Sequence, residues 1–255
     1  ILETVRARLG WYEGEGPALR ARARKVADPP RLSNALSGPT VALIAEVKRR
    51  SPSAGTISDD LDPVRQAGSF ANAGASAVSV LTEERFFGGS PEDLRRISTT
   101  IEVPLLRKDF ILHEAQIAEA RLWGASGVLL IARALPAQRL RELLSCTADL
   151  GLEALVETHD MAELDMALSA GAGILGVNSR NLDTFAIDTH GAWQLLSSIP
   201  RDRIGVAESG MSERRDVELA AQAGADAVLI GTALSRASDP AGLAASLTGV
   251  ERHGR

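Results

Sequence analysis

Glu46 and Lys48 stand two residues apart at the end of an apolar run, in "IAEVKRRSPSAG" at residues 44–55. In a strand, residues at i and i+2 point to the same face, so the carboxylate and the ammonium share one side while Ala45 and Val47 share the other. A single pair of this kind reads as a structural ion pair. The placement recurs, however: Lys108 closes "VPLLRKDF", Glu157 closes "LEALVET", Asn178 and then Arg180 follow "GILGV", and Glu208 with Ser209 closes "RIGVAES". Three cations (Lys48, Lys108, Arg180) and three carboxylates (Glu46, Glu157, Glu208) at strand ends are a poor way to gain stability, because each costs several kcal/mol to desolvate. They suit acid–base work on an anionic substrate, with the lysines expected to be lowered and the glutamates raised in pKa by burial and neighbours. Two lysines with a glutamate fit carbonyl, enamine or Schiff-base chemistry and general-acid dehydration. His113, His159, His190 and His253 lie in loop or helix-start contexts without ligand spacing, and Cys146 has no partner, so neither a metal nor a cofactor is expected.

A second signal is a cradle for phosphate. In "ESGMSERRD" Gly210 leads to Ser212 as a helix cap, and in "LIGTALSR" Gly231 and Thr232 open a short helix. Backbone N–H groups at such glycines and helix starts face a dianion well, and Ser51 and Ser53 in the opening loop are placed to close the cradle from the other side.

These groups must be carried by a repeating scaffold. Eight apolar runs, "VALIAEVK", "ASAVSVLT", "VPLLRKDF", "GVLLIAR", "LEALVET", "GILGVNS", "RIGVAES" and "DAVLIGT", alternate with amphipathic helical stretches. The strings "AGASAV", "WGASGV", "AGAGIL" and "AGADAV" recur about 50 residues apart, each closing a helix on glycine before the next strand. Eight such units predict a closed (β/α)8 TIM barrel, a single domain over 1–255, with the charged residues at the C-terminal ends of its strands. "GAGILG" at residues 171–176 matches the dinucleotide fingerprint by letter but follows a helix and precedes a strand, the reverse of what that motif needs; we read it as coincidence. Residues 1–40, with the basic run "PALRARARKVADPP", are expected to form a helical extension packed over one mouth of the barrel.

Composition narrows the partners. Lys and Arg number 28 against 33 Asp and Glu, a formal charge of −5 that gives no reason to expect nucleic acid or an anionic membrane. No apolar run is long enough to span a bilayer and no secretory signal opens the chain, so a cytoplasmic protein is expected. Cys146 reads as a core residue in a reducing compartment, and Ile1 at the first position suggests processing or shortening of that end.

Taken together, "IAEVKRRSPSAG", "LTEERFFGGS", "LLRKDFIL", "LVETH", "GVNSRNL", "VAESGM" and "LIGTAL", in order over residues 40–236, resemble the indole-3-glycerol phosphate synthase family. The resemblance implies a tryptophan-pathway lyase that converts 1-(2-carboxyphenylamino)-1-deoxyribulose 5-phosphate to indole-3-glycerol phosphate, carbon dioxide and water. It implies Lys108 as general acid on the substrate carbonyl and Glu157 as the opposing acid–base group in dehydration. Lys48 would stand near the carboxylate and carbonyl, Glu46 and Asn178 would orient and polarise, and Glu208 with Ser209 would line the anthranilate end. Phe87 and Phe110 would wall the aromatic ring, while Arg180, Ser51, Gly210, Gly231 and Thr232 would hold substrate polar groups and phosphate. Other tryptophan-pathway enzymes are the partners it suggests. Thr232 stands where many relatives have Ser or Glu, and the glycine-rich "GWYEGEG" departs from the family's charged N-terminal helix, which puts a lid role for that segment in doubt. The alternatives are a phosphoribosylanthranilate isomerase-like enzyme and a non-catalytic barrel that binds a phosphorylated metabolite.

Overall fold

The computed structural model describes residues 1–255 except 8, 53–54, 57–60, 182–183 and 255, and leaves out the side chains of 11 and 13. Eight parallel strands, β1 (Ala42–Val47), β2 (Ala77–Leu81), β3 (Leu105–Lys108), β4 (Gly127–Ile131), β5 (Glu153–Thr158), β6 (Ile174–Asn178), β7 (Ile204–Glu208) and β8 (Ala227–Ile230), close into a barrel in sequence order. Each expected apolar run contributes one strand. The strands read as nearly unbroken apolar runs because both faces are covered: Ile44 and Ala45, neighbours in β1, point to opposite sides and are both fully buried. Burying a leucine or isoleucine contributes about 1.5–3 kcal/mol, and the barrel repeats this on every strand.

Helices return the chain from the end of one strand to the start of the next. Asp62 opens Pro63–Asn72 by accepting from the N–H groups of Val64 and Arg65, and Asp160 opens Met161–Ser169 by accepting from Glu163 N–H. At the far ends the repeated "GA" step does what its composition requires: Gly74, Gly124, Gly171 and Gly224 all take φ between 84° and 93°, where a β-carbon is strained. The residue after each then donates back five positions, as in Ala75 N–H to Phe70 O and Ala225 N–H to Ala220 O, satisfying carbonyls that would otherwise be orphaned.

The N-terminal segment packs along the barrel from one end to the other. It forms α1 (Leu2–Ala7), α2 (Leu9–Ala23) and α3 (Leu32–Ala35), and its glycines do not interrupt α2. Ile1 lines the cavity at the C-terminal ends of the strands. From there α2 runs down the outside along the helix Glu114–Leu122, with Tyr12 stacked on His113 at 5.7 Å and its hydroxyl donating to Glu119 at 3.0 Å. At the opposite end Arg121 donates to Val26 O and Asp28, and α3 closes the base, with Leu32 fully buried and Arg31 and Ser33 N–H both bonded to Glu153 at the start of β5. The segment is a strap from mouth to base. Among the described residues no helix is long and apolar enough to cross a membrane.

Candidate active site

At the C-terminal ends of the strands the structure gathers Glu46, Lys48, Ser51, Phe87, Lys108, Phe110, Glu157, Asn178, Arg180, Glu208, Ser209, Gly210, Gly231 and Thr232 around one cavity of about 230 Å³. Ser53 lies outside the described residues. The charged side chains arrive at the ends of five strands, Glu46 and Lys48 together at the end of β1, because a barrel strand directs alternate residues inward. Lys48 Nζ lies 2.6 Å from Glu46 Oε1. Lys108 Nζ stands 3.5 Å from both Glu157 Oε2 and Glu208 Oε2, bridging β3 to β5 and β7. Asn178 Oδ1 accepts from Arg180 N–H at 3.0 Å, which fixes the carboxamide at the rim.

The electrostatics split the carboxylates. Glu208 is only 1 % exposed, and neither of its oxygens makes a hydrogen bond among the described residues. Burial pushes its carboxyl up, Glu157 and Glu46 add to this, and the opposing pull of Lys108 leaves it at about 8. Glu46 moves the other way: burial pushes it up, but Lys48 and Lys108 outweigh that and hold it below the usual carboxylate range. The expectation of a lowered lysine is overturned for Lys108. Burial alone would lower it, yet Glu208, Glu157 and Glu46 converge on the one ammonium and hold it above the usual lysine range. The site therefore holds a charged Lys108 beside a glutamic acid that is largely neutral at pH 7, two carboxyl groups driven apart by position alone.

Two glycines make room for these groups. A β-carbon at Gly231 would run into the Glu46 carboxylate and come within 3.0 Å of Lys48 Nζ, and one at Gly176 would collide with the Glu208 carboxylate. Gly176 belongs to "GAGILG", so one glycine of that string has a reason unconnected with nucleotides. After β7 the chain turns through two consecutive left-handed residues, Ser209 (φ 65°) and Gly210 (φ 73°). A β-carbon at 210 would press on Ser179 Oγ and Thr189 Cγ2 at 2.9 Å. Gly231 precedes the short helix Thr232–Arg236, as expected, but Ser212 does not cap the helix after β7. That helix is Arg214–Gln222 with Glu213 at its N-cap, and Ser212 N–H instead donates to Asp216.

Phe87 and Phe110 form the apolar wall, their ring centroids 6.2 Å apart and tilted by 43°, with Leu81, Leu129, Ile131 and Leu229 below them. Phe87 ends a single turn (Glu84–Phe87) held by the Glu83 carboxylate, which accepts from Arg85, Phe86 and Phe87 N–H. Asp109 is likewise fully engaged, by Thr82, Arg107 and Phe110 N–H, so the acids flanking both rings serve the frame. Sequence reasoning passed over His159, whose Nε2 lies 3.4 Å from Glu157 Oε1. Its signal was the same two-residue spacing that marked Glu46 and Lys48.

The chain is also similar to known proteins. The family model described as Indole-3-glycerol phosphate synthase matches residues 5–247. An indole-3-glycerol phosphate synthase of Parafrankia sp. is 45% identical over 255 residues, 99% of this chain and 95% of the relative. One of Chlorobium chlorochromatii is 50% identical over 209 residues, 81% of each chain. Among solved structures, 3-hexulose-6-phosphate synthase from Salmonella typhimurium superposes with a TM-score of 0.67 at 16% identity, covering 81% of this chain and 96% of that one, a likeness of fold alone.

Proposed function

The chain belongs to the indole-3-glycerol phosphate synthase family, and from that premise we propose how its cavity performs a decarboxylating ring closure. The activity is that of a carbon–carbon lyase of tryptophan biosynthesis acting on a phosphorylated small molecule. The proposed substrate is 1-(2-carboxyphenylamino)-1-deoxyribulose 5-phosphate. The observation that carries the reading is Lys108 Nζ at 3.5 Å from both Glu157 and Glu208, at the bottom of a cavity with an aromatic wall on one side and the glycine turns on the other.

Because its neighbours keep Lys108 protonated, it begins the reaction in its acid form and donates to the ketone oxygen as the aromatic carbon attacks. Lys48, held by Glu46, supports the substrate carboxylate and the developing alkoxide until carbon dioxide leaves. In the dehydration that follows, Glu157 removes the proton from the carbon beside the departing hydroxyl. Asn178 orients the carbonyl, and Glu208, neutral, with Ser209 accepts the anthranilate end without repelling its carboxylate. Phe87 and Phe110 enclose the ring. Arg180, Ser51 and the backbone at Gly210, Gly231 and Thr232 hold the phosphate; at Thr232 this asks only for an N–H group. Residues 1–40 act with the barrel as one working unit, in the cytoplasm, with other enzymes of the pathway as partners.

Incubating the purified protein with this substrate, without added metal or cofactor, should make indole fluorescence appear. No product at substrate concentrations that saturate binding would remove the proposed assignment of roles.

A further inference from the structure

Among the described residues two that are not glycine hold a positive φ, Phe185 (59°) and Ser209 (65°), and both line the cavity at the C-terminal ends of the strands. Ser209 belongs to the left-handed turn after β7. Phe185 is a bulky residue in a conformation that glycine or asparagine would adopt at less cost, so its side chain needs a separate reason to be there.

The loop after β6 holds Phe185 by its backbone. Arg180 and Ile187 form an antiparallel bridge, Asn181 N–H donates to Ala186 O at 2.9 Å, and Phe185 N–H donates to Asn181 O at 2.9 Å. Thr184 N–H donates to Asn181 Oδ1 at 3.0 Å, and Phe185 O accepts from Arg180 Nη1 at 3.2 Å. Every one of these bonds would survive loss of the ring. The ring in turn contributes little to the fold: Phe185 is 43 % exposed, and among the described residues it stacks on no other aromatic side chain.

Its place in the barrel supplies the reason. Phe87 follows β2 and Phe110 follows β3, whereas Phe185 follows β6. In a closed ring of eight strands β6 lies directly across from β2, so Phe185 stands over the mouth from the Phe87–Phe110 wall. The sugar-phosphate chain of the proposed substrate is hydroxylated, and pressing a phenyl ring on it would strip hydrogen bonds from those hydroxyls. The aryl group is the part that gains from an aromatic neighbour.

We propose that Phe185 is a specificity-determining residue whose ring bears on the aryl group of the substrate from the side opposite Phe87 and Phe110. The backbone strain at Phe185 is set against that contact. The inference rests on the arylamino sugar-phosphate reading of the cavity and adds to it a second aromatic face.

Phe185→Ala keeps the carbonyl that Arg180 holds and removes only the ring. It should raise KM for 1-(2-carboxyphenylamino)-1-deoxyribulose 5-phosphate on the order of tenfold with kcat within about twofold, as loss of a contact made equally in ground and transition states requires. Binding of inorganic phosphate, followed by calorimetry, should stay at the wild-type value, which a collapse of the loop would not allow. Should alanine unsettle the strained turn, Phe185→Gly removes the ring where the backbone is at ease, and should raise KM equally with phosphate binding intact. An unmoved KM in both variants, or phosphate binding weakened in step with KM in both, overturns the proposal. No turnover by the wild-type protein would instead remove the underlying reading, whereas wild-type turnover beside an unmoved KM removes only the role of Phe185.

Discussion

The two ends of the barrel use the same kinds of residue to opposite purposes. At the base, Glu153 accepts from Arg31 at 2.8 Å and Ser33 N–H at 2.9 Å, and Asp226 accepts from Gly205 N–H at 2.7 Å and pairs with Arg252. At the mouth, Glu208 is more deeply buried than either, yet neither of its oxygens makes a hydrogen bond among the described residues. At the base, burial pushes Glu153 up but the bonds from Ser33 and Arg31 outweigh it and hold it below the carboxylate range; at the mouth Glu208 is left at about 8. Saturated acids tie a structure together. An unsaturated one has capacity left over, and here it lies at the end of the barrel where this fold usually binds ligands.

The contrast breaks most visibly through the mouth. Lys108→Ala and Glu157→Gln should each reduce turnover at least about a hundredfold, measured by indole fluorescence, while thermal unfolding and binding of inorganic phosphate change little. Turnover close to wild type in both would mean that the open acids are not the working ones.

Glycine to alanine changes at the two ends sharpen it next. At Gly231 the new methyl displaces the Glu46–Lys48 pair and should lower kcat/KM by about tenfold or more with little loss of stability. At Gly127, on the base, a β-carbon would sit 2.7 Å from Glu153 O and 3.1 Å from Leu32 Cδ2, so the backbone must shift. That variant should lose about 1–3 kcal/mol in denaturant titration and keep its activity per folded molecule.

The two acids should respond to pH with opposite signs. The folded-state pKa of Glu208 lies above its unfolded value of 4.5, so its stabilising contribution is full below 4.5 and disappears as pH rises through about 8. Glu208→Gln should therefore raise Tm above pH 8, and the gain should shrink toward pH 4.5. Glu153 has the lowered value, so its contribution is present above the unfolded pKa and is lost as pH falls through the folded one. Glu153→Gln should lose about 1 kcal/mol at pH 7 and less in acid. Scanning calorimetry from pH 4 to 9 on both variants separates the two cases; parallel curves would contradict the contrast. The smallest effect belongs to the strap: Tyr12→Phe deletes the hydrogen bond to Glu119 and should cost about 1 kcal/mol in chemical denaturation without altering kcat.

The barrel was legible because its signals are local. An apolar run bounded by an acid-capped helix and a "GA" step needs no partner to be recognised, and all the runs from "VALIAEVK" to "DAVLIGT" form strands. The mouth was legible for the same reason, since a strand's C-terminal end fixes where its last polar residue points. What escaped depends on meetings between strands. The sign of the Lys108 shift needs Glu208, Glu157 and Glu46 from three other strands at once, and Gly176 explains itself only against Glu208 on the neighbouring strand. His159 was hidden by a search for metal ligands. The course of residues 1–40 was hidden by glycines that weaken helix propensity, which contact with the helix Glu114–Leu122 overrides.

The solitary carboxyl of Glu208 also makes the protein its own spectrometer. A neutral acid with no hydrogen bond among the described residues vibrates apart from the crowd of ionised carboxylates and backbone amides, so infrared difference spectra can follow this one group as a ligand arrives, without any dye or label attached to the molecule.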